Sequence, residues 1–121
     1  MRRNRPAFLL AVLLWLLLSG CGADTSATPQ HTVTLVAKST QTEFWLSVFA
    51  GAEAAATEYN LQLTIVGPET EEDYESQNTM VAQAVEDGAE ALVVSAIDYE
   101  NNAAAIDAAA RKGVKVVAID S

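Results

Sequence analysis

The stretch ALVVSAIDYENNAAAIDAAARKGVKVVAID, Ala91 to Asp120, carries two periodicities in succession, and that succession decides the fold. Ala91 to Ser95 is a short, nearly unbroken run of aliphatic and β-branched residues, as in a strand covered on both faces. Ala103, Ile106, Ala109 and Ala110 then recur at three- and four-residue spacing, which gives a helix one apolar face. Gly113 stands where that helix would end, because the positive φ that closes many helices suits glycine best. Lys115 to Ile119 returns to strand character. Strand, helix and strand in this order make a βαβ unit, whose strands run parallel in one sheet.

Upstream the alternation repeats. Val33 to Ala37 and Leu61 to Val66 read as strands, and a helix between them carries Trp45, Val48, Phe49, Ala52, Ala56 and Tyr59 on one stripe. A further helix carries Met80, Val81, Ala84 and Val85 and ends near Gly88. Thr40 with Glu43, and Thr70 with Asp73, have the spacing of capping boxes. The order β-α-β-α-β-α-β predicts an α/β fold, a Rossmann-like parallel sheet with helices on both faces. The sequence stops at Ser121 directly after a strand, so the expectation for 31–121 is one incomplete lobe of a larger domain.

The first thirty residues have a different character. MRRNRP is basic, AFLLAVLLWLLL is apolar but short for a bilayer span, and LSGC places small residues before the only cysteine. This predicts a signal peptide over 1–20. Leu18-Ser19-Gly20-Cys21 resembles a bacterial lipobox, which implies cleavage before Cys21 and lipidation of its thiol. A plain signal peptide or a membrane anchor is the alternative. Residues 21–30, small, polar and proline-containing, read as a flexible tether. With one cysteine, neither a disulfide framework nor a multi-thiol metal site can form. Cleavage would leave four basic residues against sixteen acidic ones, a formal charge of −12, which repels nucleic acid and anionic lipid. Membrane association is therefore expected through a lipid anchor.

In open parallel sheets ligands lie outside the carboxyl ends of the strands, near the point where strand order reverses. Four segments qualify: KSTQTEFW (Lys38 to Trp45), GPETEED, AIDYEN and the terminal Asp120-Ser121. Lys38, Asp98 and Asp120 can thus converge although distant in sequence. Phosphate-binding glycine loops, a GxSxG elbow and paired histidines are missing from the sequence, so no catalytic residue is assigned. The lone His31 reads as a solvated linker residue. The string Glu69, Glu71, Glu72, Asp73 and Glu75 lacks calcium-loop spacing and reads as a charged helix start, so neither a metal nor a cofactor is expected.

The run from Thr32 to Gln77 and the stretch from Ala89 to Ser121 together resemble the periplasmic sugar-binding proteins of bacterial ABC transporters, the ribose-binding type related to LacI-family effector domains. The resemblance implies two α/β lobes joined by hinge strands, of which 31–121 would be most of the first. It also implies polar residues after the first strand, here Lys38, Ser39 and Thr42, followed by aromatics that pack on a sugar ring, here Phe44 and Trp45. Asp120 matches an aspartate that accepts hydrogen bonds from sugar hydroxyls, and Asp98 a more variable polar contact. Where ribose-type relatives often have Asn-Pro before the aromatics, this chain has Thr42-Glu43. Lys38 is similar to a lysine of autoinducer receptors in the same superfamily. The expectation is a monomeric, lipid-anchored solute-binding protein outside the cytoplasm, delivering a sugar-like ligand to an ABC permease. The alternatives are a sensing lipoprotein that signals to a membrane kinase and an exported α/β hydrolase. Trp45 and Lys38 also admit plain roles, in core packing and surface pairing, and Asp98 is equally placed to cap a helix.

Overall fold

The computed structural model describes residues 31–120; the expected signal peptide, Cys21, the tether and Ser121 lie outside the described residues. Four strands alternate with three helices: β1 (His31–Val36), α1 (Glu43–Glu58), β2 (Leu61–Val66), α2 (Tyr74–Glu86), β3 (Ala91–Val94), α3 (Tyr99–Arg111) and β4 (Lys115–Ala118). All pairings are parallel, in the order β2-β1-β3-β4. The register sets Val36 opposite both Val66 and Val94, and Val94 opposite Ala118, so the strands finish level at one edge.

Alternation along the strands distributes side chains to two faces. Leu35, Ala37, Leu63, Ile65 and Val93 pack against Trp45, Val48, Phe49 and Ala52 of α1. On the other face Val36, Leu92 and Val94 meet Val81 and Ala84 of α2 and Ala109 of α3. Helices therefore cover both faces, as expected. The cover on the α1 side is partial: Val117, which pairs with Val93 and shares its face, stays 53% exposed.

The helix ends follow from local chemistry. Gly88 (φ 86°) and Gly113 (φ 90°) take the positive φ expected of them. In α2 the Gly88 and Ala89 amides donate back to the Val85 and Ala84 carbonyls, and in α3 Gly113 and Val114 do the same to Ala110 and Ala109, a Schellman closure in both. Asn60 (φ 53°) takes that place after α1.

The starts differ from the capping-box spacing. The caps are Thr42 and Asp73, whose side chains accept from the Trp45 and Ser76 amides; Thr40 and Thr70 lie upstream in the loops. Thr40 is held there because its amide donates to the Pro68 carbonyl. The buried face of α3 is also rotated from expectation. Asn102 and Ala109 are buried, with Ala105 and Ile106 packed beside the core, while Ala103 and Ala110 face water. His31 is the first residue of β1 rather than a linker residue, and its Nδ1 lies 2.8 Å from Glu90 Oε2.

Candidate functional site

The strand order fixes where to look. From β1 the chain crosses to β2 on one side, then returns over β1 to reach β3 on the other, so the loops after β1 and β3 diverge at the sheet's reversal point. Lys38 and Ser39 follow β1, Asp98 follows β3, and Asp120 follows β4 at the same edge.

Two of the expected residues meet directly. Lys38 Nζ donates to the Asp120 carbonyl at 3.0 Å and lies 3.3 Å from its carboxylate Oδ2. The lysine is mostly enclosed and the aspartate half open, with 23% and 50% of their side chains exposed. Ser95 Oγ also donates to the Asp120 carbonyl, at 3.4 Å. Asp120 takes a left-handed backbone (φ 48°), which turns the chain out of the β4 direction at this point.

Asp98 is the cap of α3. Its carboxylate accepts from the amides of Glu100 and Asn101, both at 2.9 Å. These bonds, the Asn101 amide foremost, hold its pKa below the ordinary aspartate value. One carboxylate oxygen makes both bonds, and the residue remains partly open to solvent.

The aromatic pair divides. Phe44, the second residue of α1, is 58% exposed; Trp45 is 1% exposed and belongs to the core on the α1 face. Their rings meet edge to face at 5.1 Å, so Trp45 buttresses Phe44. Trp45 Nε1 donates to Glu71 Oε1 at 2.8 Å, which satisfies the one polar atom of its ring. Three residues expected at the ligand have protein partners in the structure. Trp45 is enclosed, Ser39 is 1% exposed with its hydroxyl bonded to the Glu69 carbonyl and the Gln41 amide, and the Thr42 hydroxyl caps α1. All three hold the loop after β1 in shape.

That loop is also pinned to the one after β2. The Ala37 amide donates to Val66 and Thr40 to Pro68, and Gly67 allows the close approach: a Cβ there would lie 3.1 Å from the Ala37 carbonyl oxygen.

Two buried amides were missed in the sequence. Gln77 is fully buried; its Nε2 donates to the Ala37 and Ser95 carbonyls and its Oε1 accepts from the Ile97 amide. Asn102, 1% exposed, accepts from the Asp98 amide and donates to Asn78 Oδ1. A signal existed: Gln77 precedes Val81 and Ala84 by four and seven residues, in phase with the buried stripe.

Elsewhere, a groove beside α2 lined by Thr32, Thr34, Thr64, Met80 and Gln83 contains none of these site residues. Among the described residues no group of histidine, cysteine or acidic side chains is arranged to hold a metal ion. No helix among them is long and apolar enough to cross a membrane.

Comparison with known proteins bears on the fold and the family. Residues 33–121 match the family model for the periplasmic binding protein domain. A D-ribose/D-allose-binding protein of Pseudomonas aeruginosa is 33% identical over 115 residues, which covers 93% of this chain and 35% of the relative. Among solved structures, a sugar transporter from Clostridium phytofermentans superposes with a TM-score of 0.74 at 32% identity, over 76% of this chain and 35% of that one. LsrB from Clostridium saccharobutylicum, solved in complex with AI-2, gives 0.70 at 30% identity, over 74% and 27%. The chain thus spans about a third of the length of these relatives.

Proposed function

Since the chain belongs to the periplasmic binding protein family, we propose that it acts outside the cytoplasm as a solute-binding protein, taking up a sugar or similar polyhydroxylated molecule for an ABC permease. The observation that carries this reading is the convergence of Lys38 and Asp120 at the edge where strand order reverses, the edge whose loops also carry the half-open Asp98 and the exposed ring of Phe44. A sugar has an apolar C–H face and a hydroxylated rim. Phe44 offers a flat apolar surface, while the ammonium and the two carboxylates offer charged donors and acceptors, whose hydrogen bonds exceed neutral ones in strength. Nothing in the arrangement at this edge requires covalent chemistry. The relatives named above are likewise binding or transport proteins.

In this reading the ligand enters where Lys38 and Asp120 already satisfy one another. Its hydroxyls replace part of that pair, and closure of the remainder of the protein over the edge completes the enclosure. Cys21 carries the lipid that keeps the protein at the membrane. A sensing role is the second reading. It is favoured by Lys38 and by the likeness to a protein solved with AI-2.

Calorimetric titration of the full-length protein with D-ribose, D-allose and AI-2 tests both. Binding of a sugar with a Kd of about 10 μM or below supports uptake, preference for AI-2 supports sensing, and heat from none of the three would refute the site reading.

A further inference from the structure

We propose that Gln77 is a positioning residue for the ligand edge, its buried carboxamide fixing how the ends of β1 and β3 present Lys38 and Asp98. What those loops bind rests on the function proposed above; how they are held rests on geometry alone.

Both carbonyls that Gln77 engages lie one residue past a strand end, where the sheet ladder stops: Ala37 after β1 at 2.9 Å and Ser95 after β3 at 2.8 Å. Its own carbonyl takes the Ile97 amide at 3.0 Å. Ala37 immediately precedes Lys38, and Ile97 immediately precedes Asp98. Ser95 in turn holds the Asp120 carbonyl, the same oxygen that accepts from Lys38. One side chain on α2 therefore holds the backbone immediately before Lys38 and Asp98 and, through Ser95, adjoins the residue that bonds Asp120.

The chemistry is specific to an amide. Two donors and an acceptor in one plane are available only from asparagine or glutamine, and the longer glutamine is the one that reaches here from α2. A glutamate has the same shape but would aim one carboxylate oxygen at two carbonyl oxygens. A methionine has the same length and offers neither donor nor strong acceptor. For packing alone an apolar residue would serve, as Val81 and Ala84 do on the same face.

The test compares Gln77→Glu and Gln77→Met with wild type in the full-length protein. Gln83→Glu, on an exposed part of the same helix, serves as control. Without ligand, NMR should show the amides of Lys38, Ile97, Asp98 and Asp120 displaced in both Gln77 variants, with Ile97 losing about tenfold or more of its exchange protection. Thr32 and Glu90, at the opposite end of the sheet, should keep their wild-type shifts. Disturbance spread evenly through the sheet, or an unchanged Ile97, would overturn the proposal. With D-ribose as probe, both variants should bind about tenfold or more weakly at a temperature where they remain folded, and Gln83→Glu as wild type. Wild-type affinity with a lowered Tm would reduce Gln77 to a packing residue. If wild type binds no sugar, the functional reading falls while the exchange measurement still decides the role of Gln77. Should Gln77→Glu not fold, Gln77→Met carries both measurements.

Discussion

Phe44 and Trp45 are adjacent in sequence, yet truncating each should damage a different property. Trp45 is 1% exposed, and an enclosed aromatic of its size removes about 200 Å² or more from water. At about 25 cal/mol per Å² that is roughly 5 kcal/mol for full transfer, and large-to-small aromatic truncations in cores cost about 3–5 kcal/mol. Phe44 is 58% exposed, so less than half of its area is at stake. Part of that remains covered in a compact unfolded chain, which leaves about 1 kcal/mol. Trp45→Phe separates the terms further, since it keeps most of the area and loses the bond to Glu71, worth about 1 kcal/mol. The assay is urea unfolding followed by far-UV circular dichroism, because replacing Trp45 itself changes the tryptophan fluorescence. The expected order of destabilisation is Trp45→Ala, then Trp45→Phe, then Phe44→Ala. Calorimetry with D-ribose should show the affinity loss concentrated in Phe44→Ala, by about 1–3 kcal/mol. If Phe44→Ala were as destabilising as Trp45→Ala and left affinity intact, the assignment of one ring to the core and the other to the ligand would be refuted.

Asp120→Asn retains the shape but loses the charge that faces Lys38, and should weaken sugar binding about 30-fold or more with an unchanged circular dichroism spectrum. Equal affinities would place Asp120 outside the site. Asp98→Ala should lower Tm by removing the cap of α3, whereas Asp98→Asn, still able to cap, should restore most of it; a Tm unmoved by Asp98→Ala would contradict the cap. Asp73, Glu90 and Asp98 all have folded-state pKa values below their ordinary ones, held down first by the Ser76 side chain, the His31 ring and the Asn101 amide respectively. The stability they add is therefore complete above the ordinary carboxylate range, about pH 4, and is lost as pH falls through the lower folded values. Carboxyl-carbon NMR titration should find each of the three below the ordinary value of its own residue type, and ordinary midpoints would count against the hydrogen bonds. Cys21→Ser should abolish labelling by a fatty-acid probe and leave unprocessed precursor; persistent labelling would remove the proposed anchor.

The parts of the fold legible in sequence were those governed by one local rule. Gly88 and Gly113 announced helix ends because positive φ is costly for other residues, and the aliphatic run from Ala91 announced a buried strand. Helix starts were less legible. Thr40 and Thr42 are both hydroxyl residues in one polar stretch, and a backbone bond to Pro68, across the chain, keeps Thr40 out of the cap. The candidate edge was legible, because strand polarity alone puts residues 38, 98 and 120 after strands that end on one side of the sheet, and Lys38 meets Asp120 there. Which of its side chains are engaged by the protein itself was not. Ser39, Thr42 and Trp45 suit a sugar pocket by type, yet partners distant in sequence, such as Glu69 and Glu71, claim Ser39 and Trp45. Gln77 escaped notice because a polar side chain on a helix is ordinarily counted as solvated, and its partners lie 18 to 40 residues away.

The position of β1 also has a mechanical consequence. The chain enters the described fold at His31, at the end of the sheet opposite Lys38, and β1 has β2 on one side and β3 on the other. Both neighbours run parallel to it, so tension applied from upstream of His31 loads the hydrogen bonds of two ladders together in shear instead of peeling them singly. The ten residues of the proposed tether, 21–30, would reach at most about 36 Å if extended. A fold held at Cys21 would therefore feel every tug of the membrane along the axis of its central strand, where failure requires many bonds to slip at once, and the loops after β1 and β3 lie at the far end from the grip.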